Sequence, residues 1–303
     1  MLITDKNGTK SVDLSTIGED INRETTVAIL GPAGTWSEIA LKHYMGTNHV
    51  GESYRCVYAN NIQALIADVH NEEIDYVFCP IENSQEGDVL ATLDNLVAVD
   101  DVYITGEFIM PICQCLIAGE GVERAGVKTI YSHPQAIGQC VDYLTENLPD
   151  VAVVHTSSTA AAAAMVAKSI ESGNNSVATI GSRDLAEQYN LKVLDENVQD
   201  GKDNVTRFVT IARDAKPDGG DRTSLMFVCD DKAGELYKML SIFNIFDVNM
   251  IQLRSRPTKT VLGEYMFFVD IVGDAKDEGI AKALECLEMK AKRFKNLGSY
   301  DKG

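Results

Sequence analysis

The stretch that decides the fold is Val27-Ala28-Ile29-Leu30-Gly31-Pro32-Ala33-Gly34. Its four apolar residues predict a buried strand, and the Gly-Pro-Ala-Gly run that follows ends this strand. Thr35 or Ser37 can then cap a helix that runs on through Tyr44. A strand that turns directly into a helix is the repeating unit of α/β sheets. This segment therefore predicts an α/β fold.

The same strand-turn-helix pattern recurs three times, with strands beginning near residues 129, 151 and 177. Residues 76–79 add a further buried strand, and residues 102–118 form an extended stretch with few helix signals. Alternation of short apolar runs with longer amphipathic ones is typical of helices that cover a largely parallel sheet. We expect two such β/α lobes.

A second domain is predicted beyond a polar stretch at residues 212–222, which contains one Pro and two Gly residues and suits a linker. After it, the patterns predict the order βαββαβ, typical of two helices on a four-stranded antiparallel sheet. We therefore expect an N-terminal extension at residues 1–25 and domains at residues 26–212 and 222–303. The predicted strands lie at 224–229, 249–256, 264–271 and 294–298, and the helices at 234–246 and 278–290.

The charge balance limits the classes of partner. The 303 residues include 27 Lys plus Arg against 45 Asp plus Glu, which gives a net charge of -18. Such a surface repels phosphate backbones and anionic lipid, so nucleic acid and membranes are not expected partners. No run approaches the ~18 apolar residues that a membrane span requires.

Cysteine and histidine usage bears on compartment and metal content. The seven cysteines form no CxxC pair, and most lie in apolar runs where small buried thiols are common. The first 25 residues carry charges throughout and resemble no secretory signal. The five histidines show no metal-ligand spacing. We expect a cytoplasmic protein without a metal.

Two polar loops follow predicted strands. Thr35 and Ser37 lie at a helix start, where free N–H groups attract anions, although a plain capping turn explains the same spacing. Glu82, Asn83 and Ser84 follow the buried strand at residues 76–79, where α/β sheets hold ligands, and a surface loop is the alternative. An acid, an amide and a hydroxyl within one turn suit the binding of a polar substrate.

Other candidates lie at later junctions. Ser132 and Gln139 flank a strand-to-helix turn, and Thr159 belongs to a cluster of hydroxyls that caps the next helix. In Asn204-Val205-Thr206-Arg207-Phe208, strand alternation puts Thr206 on one face and Arg207 on the other. No Ser-His-Asp order or nucleophile elbow supports a hydrolase.

Taken in order, these motifs resemble the prephenate dehydratase family, and residues 222–303 resemble the ACT regulatory domain that follows its catalytic part. The resemblance covers nearly the whole chain after Thr25. It rests on four segments: Gly31-Pro32-Ala33-Gly34-Thr35-Trp36-Ser37-Glu38; Pro80-Ile81-Glu82-Asn83-Ser84-Gln85-Glu86-Gly87; Ser132-His133-Pro134-Gln135 with Gln139-Cys140; and Asn204-Val205-Thr206-Arg207-Phe208.

The resemblance implies two α/β lobes similar to type II periplasmic binding proteins, with the active site in the cleft between them. It implies the decarboxylating dehydration of prephenate to phenylpyruvate, without a cofactor. Thr206 would act in catalysis. The substrate would be bound by Glu82, Asn83, Ser132, Gln139 and Arg207, with Thr35, Ser37, Ser84 and Thr159 as further pocket residues.

For the C-terminal domain, the resemblance implies an amino-acid effector, phenylalanine, bound between paired domains of a homodimer or homotetramer. The effector residues would be Gly234, Glu235, Leu236 and Asn249. Here Glu235 and Arg254 depart from the family pattern, which has Ala and Glu at these places. Cys113-Gln114-Cys115 also departs from it, because a His-rich version is common there, and we therefore assign no role to that strand.

Two other interpretations stay open. Arogenate dehydratase acts on a substrate that differs only by an amino group in place of the side-chain keto group, and the motifs are shared. A non-catalytic, amino-acid-sensing binding protein has the same kinds of domain. We do not expect a fused chorismate mutase, because residues 1–25 are too short for its helical segment.

Overall fold

The computed structural model describes residues 3–4, 10–11, 24–49, 52–201, 203–213, 219–259 and 261–303. Two short strands, β1 (Ile3–Thr4) and β2 (Lys10–Ser11), pair antiparallel near the N-terminus. The rest of the expected extension at residues 1–25, apart from Glu24 and Thr25, lies outside the described residues, as do residues 214–218 of the predicted linker.

The first lobe, lobe 1, is a six-stranded mixed sheet with helices on both faces. Its strands follow the order β4-β3-β5-β13-β7, and β6 pairs with the end of β5. The late strand β13 runs antiparallel between β5 and β7, so the chain returns to lobe 1 after building the second lobe. The elements are β3 (Thr25–Leu30), α1 (Trp36–Asn48), β4 (Tyr54–Ala59), α2 (Ile62–His70), β5 (Tyr76–Asn83), β6 (Gly87–Asp88), α3 (Leu90–Ala98), β7 (Val102–Pro111) and β13 (Val205–Arg213).

Lobe 2 is a five-stranded sheet in the order β10-β9-β11-β8-β12. Strands β9, β10 and β11 run parallel to one another, and β8 runs antiparallel to β11. Its elements are β8 (Cys115–Ala118), β9 (Thr129–Ser132), α4 (Pro134–Gly138), α5 (Val141–Asn147), β10 (Ala152–His155), α6 (Thr159–Glu171), β11 (Val177–Gly181), α7 (Arg183–Gln188) and β12 (Lys192–Asp195).

One predicted helix of lobe 2 is broken. The sequence pattern suggested a single helix through Ile137 and Leu144, but α4 ends at Gly138 and α5 begins at Val141. Glycine favours the end of a helix because of its backbone freedom. Asp200 stabilises the break. Its N–H donates to the Gln139 carbonyl at 2.7 Å, and its carboxylate accepts hydrogen bonds from the N–H groups of Asp142 and Tyr143 in the first turn of α5.

Two chain crossings join the lobes, one at residues 112–114 and the other at residues 196–204. They touch, because the Ile112 N–H donates to the Asn204 carbonyl at 2.8 Å. Thr206 follows two residues after this contact, at the start of β13.

The C-terminal domain confirms the predicted βαββαβ order. Its four strands form an antiparallel sheet in the order β15-β16-β14-β17. Helix α9 has the bounds that the sequence pattern predicted. The elements are β14 (Arg222–Val228), α8 (Glu235–Ile245), β15 (Met250–Pro257), β16 (Tyr265–Val272), α9 (Glu278–Lys290) and β17 (Arg293–Tyr300).

The central strands β14 and β16 of the C-terminal sheet are buried on both faces. Phe227 and Val269 pack under helices α8 and α9. Met226 and Phe268 lie on the other face and join the core of lobe 1. At Gly298, which has φ +129°, a Cβ atom would lie 2.2 Å from the Ile104 carbonyl oxygen, so only glycine permits this close approach of the two domains.

Candidate active site between the lobes

A cleft of about 390 Å³ opens between the two lobes. Its walls come from the loops after β3 and β5, the crossing at residues 112–114, the starts of α4 and α6, and the start of β13. Six of the residues predicted from the sequence line this cleft together: Thr35, Ser37, Asn83, Gln139, Thr159 and Thr206.

Asn83 and Thr206 form a fixed polar pair at the cleft wall. They are partners in the β5–β13 ladder, and Asn83 Nδ2 donates to Thr206 Oγ1 at 2.9 Å. Asn83 Oδ1 accepts the N–H groups of Gln85 and Glu86, each at 2.9 Å, which holds the amide in this orientation. Since Thr206 Oγ1 accepts from Asn83, its hydroxyl proton is left to donate to a ligand.

Two long helices direct their N-termini at the cleft. Helix α1 begins at Trp36, directly after Thr35. Helix α6 begins at Thr159, where Ser158 Oγ accepts the Ala161 N–H at 3.0 Å. The Thr35 hydroxyl does not cap α1; it donates to the Leu30 carbonyl at 3.1 Å and fixes the turn after β3. Helix N-termini carry unpaired N–H groups and a partial positive charge, so both favour an anionic ligand.

The described residues that line the cleft include no Lys or Arg, which is unusual for a site that binds an anion. Two of them, Glu86 and Asp88, are acidic. The Asp88 side chain shares a sheet face with its ladder partner Glu82, where its carboxylate pairs with Arg254. His133 lines it as well, and its Nδ1 accepts the Gln135 N–H at 3.3 Å as the cap of α4. Attraction of an anion therefore relies on N–H groups, hydroxyls and amides.

The structure corrects the placement of Arg207 and Glu82, both predicted to bind the substrate. Because side chains alternate along β5 and β13, these two lie on the sheet face opposite Asn83 and Thr206. Arg207 is 6% exposed, and its Nη1 lies 3.0 Å from Asp270 Oδ2 and 3.3 Å from Glu107 Oε2. Burial opposes its charge, but Asp270 and the other carboxylates prevail and raise the pKa of Arg207 above its ordinary value.

Glu82 faces the C-terminal domain. Its carboxylate accepts hydrogen bonds from Gln252 Nε2 at 2.7 Å and Arg254 Nη2 at 2.8 Å. It also lies 3.4 Å from Arg207 Nε. In this structure Glu82 and Arg207 therefore join the two domains and do not contact the cleft.

Two predicted serines also lie away from the cleft. Ser132 is fully buried, and its hydroxyl donates to the Ile180 carbonyl at 2.7 Å, so it ties β9 to β11. Ser84 is exposed; its hydroxyl donates to the Asp203 carbonyl and accepts the Val205 N–H, which fixes the entry into β13. Both serines therefore stabilise strands next to the cleft through hydrogen bonds to the backbone.

Gln114 is a cleft residue that sequence reasoning set aside. It is 2% exposed and lies in the first crossing between the lobes. Its Nε2 donates to Gln139 Oε1 at 3.1 Å, whereas its Oε1 is buried without a partner. A buried acceptor of this kind is costly to leave unpaired, so it suits a donor on a ligand. In the sequence, a polar residue between two apolar strands was the feature that could have identified Gln114 as a cleft residue.

The predicted effector residues lie at two element starts of the C-terminal domain. Gly234 has φ +81° and precedes α8, and Leu236 packs partly against the domain core. The Glu235 carboxylate accepts from Lys238 Nζ at 2.6 Å. Asn249 lies one residue before β15, where its carbonyl accepts the Val272 N–H at 2.9 Å.

Within the described ranges, no group of three or more His, Cys, Asp or Glu side chains is placed to hold a metal ion. None of the helices in these ranges is long and apolar enough to cross a membrane.

Comparison with known proteins agrees with this architecture. The family model described as prephenate dehydratase matches residues 27–216, and the ACT domain model matches residues 223–287. The chain is 37% identical over 273 residues to prephenate dehydratase of Methanocaldococcus jannaschii, covering 89% of this chain and 95% of that protein. It is 37% identical over 284 residues to the bifunctional chorismate mutase/prephenate dehydratase of Aquifex aeolicus, covering 93% of this chain and 75% of that protein.

A solved structure gives the same result. The crystal structure of prephenate dehydratase from Arthrobacter aurescens, in complex with L-Phe, aligns with a TM-score of 0.80 and 35% identity. The alignment covers 92% of this chain and 90% of that chain. The likeness therefore extends over both lobes and the C-terminal domain.

Proposed function

The chain belongs to the prephenate dehydratase family, and we propose that it converts prephenate to phenylpyruvate with loss of carbon dioxide and water. The observation that carries this proposal is the Asn83–Thr206 pair in a cleft faced by two helix N-termini. It places a hydroxyl donor and two anion-binding helix ends around one cavity, which suits a hydroxylated dianion.

The reaction needs little covalent chemistry from the protein. The bond between the ring and its carboxylate breaks, its electrons shift through the ring, and the C–O bond to the ring hydroxyl breaks as the ring becomes aromatic. The ring itself accepts the electrons, so no electron-sink cofactor is required. Catalysis then consists mainly of positioning and electrostatic stabilisation.

We assign Thr206 the role of hydrogen-bond donor to the departing oxygen. A threonine hydroxyl is a poor acid at neutral pH, so its contribution is stabilisation of the oxygen as negative charge develops there. Asn83 keeps the Thr206 proton directed into the cleft by occupying the oxygen lone pair on the other side. Water supplies the proton that completes the leaving molecule.

We assign the substrate carboxylates to the N-termini of α1 and α6, helped by the hydroxyls of Thr35, Ser37 and Thr159. Gln139 adds a side-chain amide on the wall of lobe 2. Local attraction is needed because the net charge of -18 repels a dianion over the whole surface.

Regulation by phenylalanine belongs to the same proposal. The ACT domain of this chain and the L-Phe bound in the Arthrobacter aurescens relative support it. The effector would contact Gly234, Glu235, Leu236 and Asn249 in a cytoplasmic homodimer or homotetramer. We take the catalytic domain as residues 26–212 and the ACT domain as residues 222–303. Titrating phenylalanine against turnover, with sedimentation to follow assembly, tests this part.

The decisive experiment is a side-by-side assay with prephenate and arogenate. We expect phenylpyruvate from prephenate, at a rate that EDTA does not change. Phenylalanine formed from arogenate, with prephenate left intact, would instead assign the arogenate reaction. If neither substrate is converted, the amino-acid-sensing interpretation replaces the catalytic one.

A further inference from the structure

A pair of side-chain amides lies on the wall of the cleft. Gln114 Nε2 donates to Gln139 Oε1 at 3.1 Å, and both residues line the cleft. Gln114 is buried whereas Gln139 is half-buried, so Gln139 is the member of the pair that is more open to a ligand. The direction of the hydrogen bond decides which atom Gln139 offers to that ligand.

This hydrogen bond can run in either direction. In the structure Gln114 donates, which leaves Gln139 Nε2 as a donor for a ligand and leaves Gln114 Oε1 buried without a partner. An amide keeps nearly the same shape after a half-turn that exchanges its oxygen and its nitrogen. When both amides turn, Gln139 Nε2 donates to Gln114 Oε1, and Gln139 Oε1 becomes an acceptor for a ligand.

The two directions make the same number of hydrogen bonds. Each keeps the bond between the amides and leaves one polar atom of Gln114 unpaired, and no other group among the described residues bonds either side chain. The backbone of Gln114 is fixed, because its N–H donates to Gln199 Oε1 at 2.8 Å and its carbonyl accepts the Val198 N–H at 2.9 Å. Only the amides need to turn, so a ligand can select the direction.

The proposed function determines which part of the substrate meets this pair. The ring hydroxyl is assigned to Thr206 on the wall of lobe 1, and the ring carbon that bears the side chain lies at the opposite end of the ring. The side chain then points toward lobe 2, where Gln139 and Thr159 at the start of α6 line the cleft. With the side-chain carboxylate at the start of α6, the neighbouring keto or amino group is left for Gln139.

We propose that Gln114 is a positioning residue that allows Gln139 to present either a donor or an acceptor, so that the cleft accepts both the keto group of prephenate and the ammonium group of arogenate. The inference rests on the proposed function for the binding mode. A keto oxygen accepts from Gln139 Nε2 in the observed direction, and an ammonium group donates to Gln139 Oε1 in the reversed direction. A fixed donor at this place would reject the amino substrate, because two donors would face each other.

The wild type should therefore convert both substrates. We expect kcat/KM for arogenate to lie within about 30-fold of the value for prephenate. The charge of the lining agrees with this, because no Lys or Arg among its described residues would repel an ammonium group. A larger preference for prephenate would overturn the inference and leave the proposed function intact.

Gln114→Glu should hold the pair in the reversed direction. A carboxylate only accepts, so Gln139 Nε2 must turn to it and Gln139 Oε1 faces the ligand. We expect the ratio of kcat/KM for arogenate to that for prephenate to rise about 10-fold or more. An assay at about pH 8.5 keeps this buried carboxyl ionised.

Gln114→Met separates the direction of the bond from simple packing. It removes the partner of Gln139 and leaves that amide free to turn toward either substrate. Both substrates should lose activity, while the ratio stays within about 3-fold of the wild-type value. A shift of the ratio as large as in Gln114→Glu would show that packing controls the preference and would overturn the inference.

Gln199→Glu is the matched control for charge. Gln199 holds the Gln114 N–H and is outside the cleft lining, so this variant adds the same negative charge beside the same crossing and keeps the hydrogen bond. Its ratio should stay within about 3-fold of the wild-type value. An equal shift in Gln199→Glu would mean that the added charge simply disfavours the more negative substrate, which would overturn the inference.

Gln139→Glu keeps the test decisive if Gln114→Glu does not fold. Its carboxylate accepts from Gln114 Nε2 and presents only acceptors to the ligand, so the ratio should also move toward arogenate. An unchanged ratio, or a shift toward prephenate, would overturn the inference. The proposed function is judged separately: a wild type that converts neither substrate rejects it, whereas a wild type that converts prephenate with variants that weaken both substrates equally rejects only the role of Gln114.

Discussion

Asn83 donates its side-chain amide to the Thr206 hydroxyl at 2.9 Å, and the same two residues face each other in the β5–β13 ladder. The backbone pairing of two strands thus sets the distance between the two side chains. The ladder also fixes the sheet face on which they lie, so the geometry of the pair depends little on loop conformation.

Replacing Thr206 by Ala should remove an interaction made mainly in the transition state. We expect kcat for prephenate to fall by ~100-fold or more while KM changes little. Thr206→Ser keeps the hydroxyl and should retain most of the activity. Steady-state kinetics measures both variants, and circular dichroism checks their fold. Near-normal kcat in folded Thr206→Ala would remove Thr206 from the catalytic role.

Asn83→Ala should act partly through Thr206, because it frees the hydroxyl to rotate. We expect a fall in kcat of about 10-fold or more, and we expect the double variant with Thr206→Ala to lose much less than the product of the two single effects. A double-mutant cycle on kcat measures this coupling. Independent, multiplicative losses would show that Asn83 contributes to turnover by a separate route.

Arg207→Met should chiefly destabilise the folded chain. The substitution leaves Asp270 and Glu107 buried without this cation, and breaking such a pair costs about 3 to 5 kcal/mol. Urea unfolding should show this loss, with the KM for prephenate nearly unchanged in the protein that remains folded. A large rise in KM at unchanged stability would return Arg207 to the substrate-binding residues.

Lys295 should make stability depend on pH in the alkaline range. Its Nζ donates to the Leu96 and Val99 carbonyls beneath lobe 1, and burial lowers its pKa from 10.5 to about 8. Between these values the unfolded chain binds more protons than the folded one, so unfolding becomes less favourable as pH rises.

We therefore expect the unfolding free energy of the wild type, relative to Lys295→Met, to increase from about pH 8 toward pH 10. Groups that do not interact with the amine cancel in this difference. Urea unfolding at several pH values measures it. A difference that stays flat over the range would show that Lys295 keeps its ordinary pKa in the folded protein.

Much of the fold is visible in the sequence because it is local. Residues 27–38 combine a strand, a turn and the start of a helix within one segment, although Thr35 does not cap that helix. The predicted element order of the C-terminal domain matches the structure. The break between α4 and α5 was missed because Asp200, distant in sequence, supplies the hydrogen bonds that stabilise it. The insertion of β13 between β5 and β7 is non-local in the same way.

For the candidate site, too, the local features could be predicted from the sequence and the non-local ones could not. Motif residues such as Asn83 and Thr206 do line one cleft. The alternation that separates Arg207 from Thr206 was readable in the sequence, but the packing of β15 against Glu82 was not. Gln114 lies in a stretch that departs from the family pattern, and only its tertiary neighbours show that its Oε1 is a buried acceptor without a partner.

The contact between Ile112 and Asn204 has a mechanical consequence for the cleft. The two crossings also meet at Gln114, whose N–H donates to Gln199 Oε1 at 2.8 Å and whose carbonyl accepts the Val198 N–H at 2.9 Å. Any rotation of one lobe against the other would pivot about this short set of contacts. Thr206 is two residues from the Ile112–Asn204 contact, so such a rotation would move it little, whereas Thr159 at the start of α6 would move with lobe 2. The hydroxyl proposed to hydrogen-bond the departing oxygen would therefore keep its position, while the helix end proposed to bind a carboxylate would move with lobe 2.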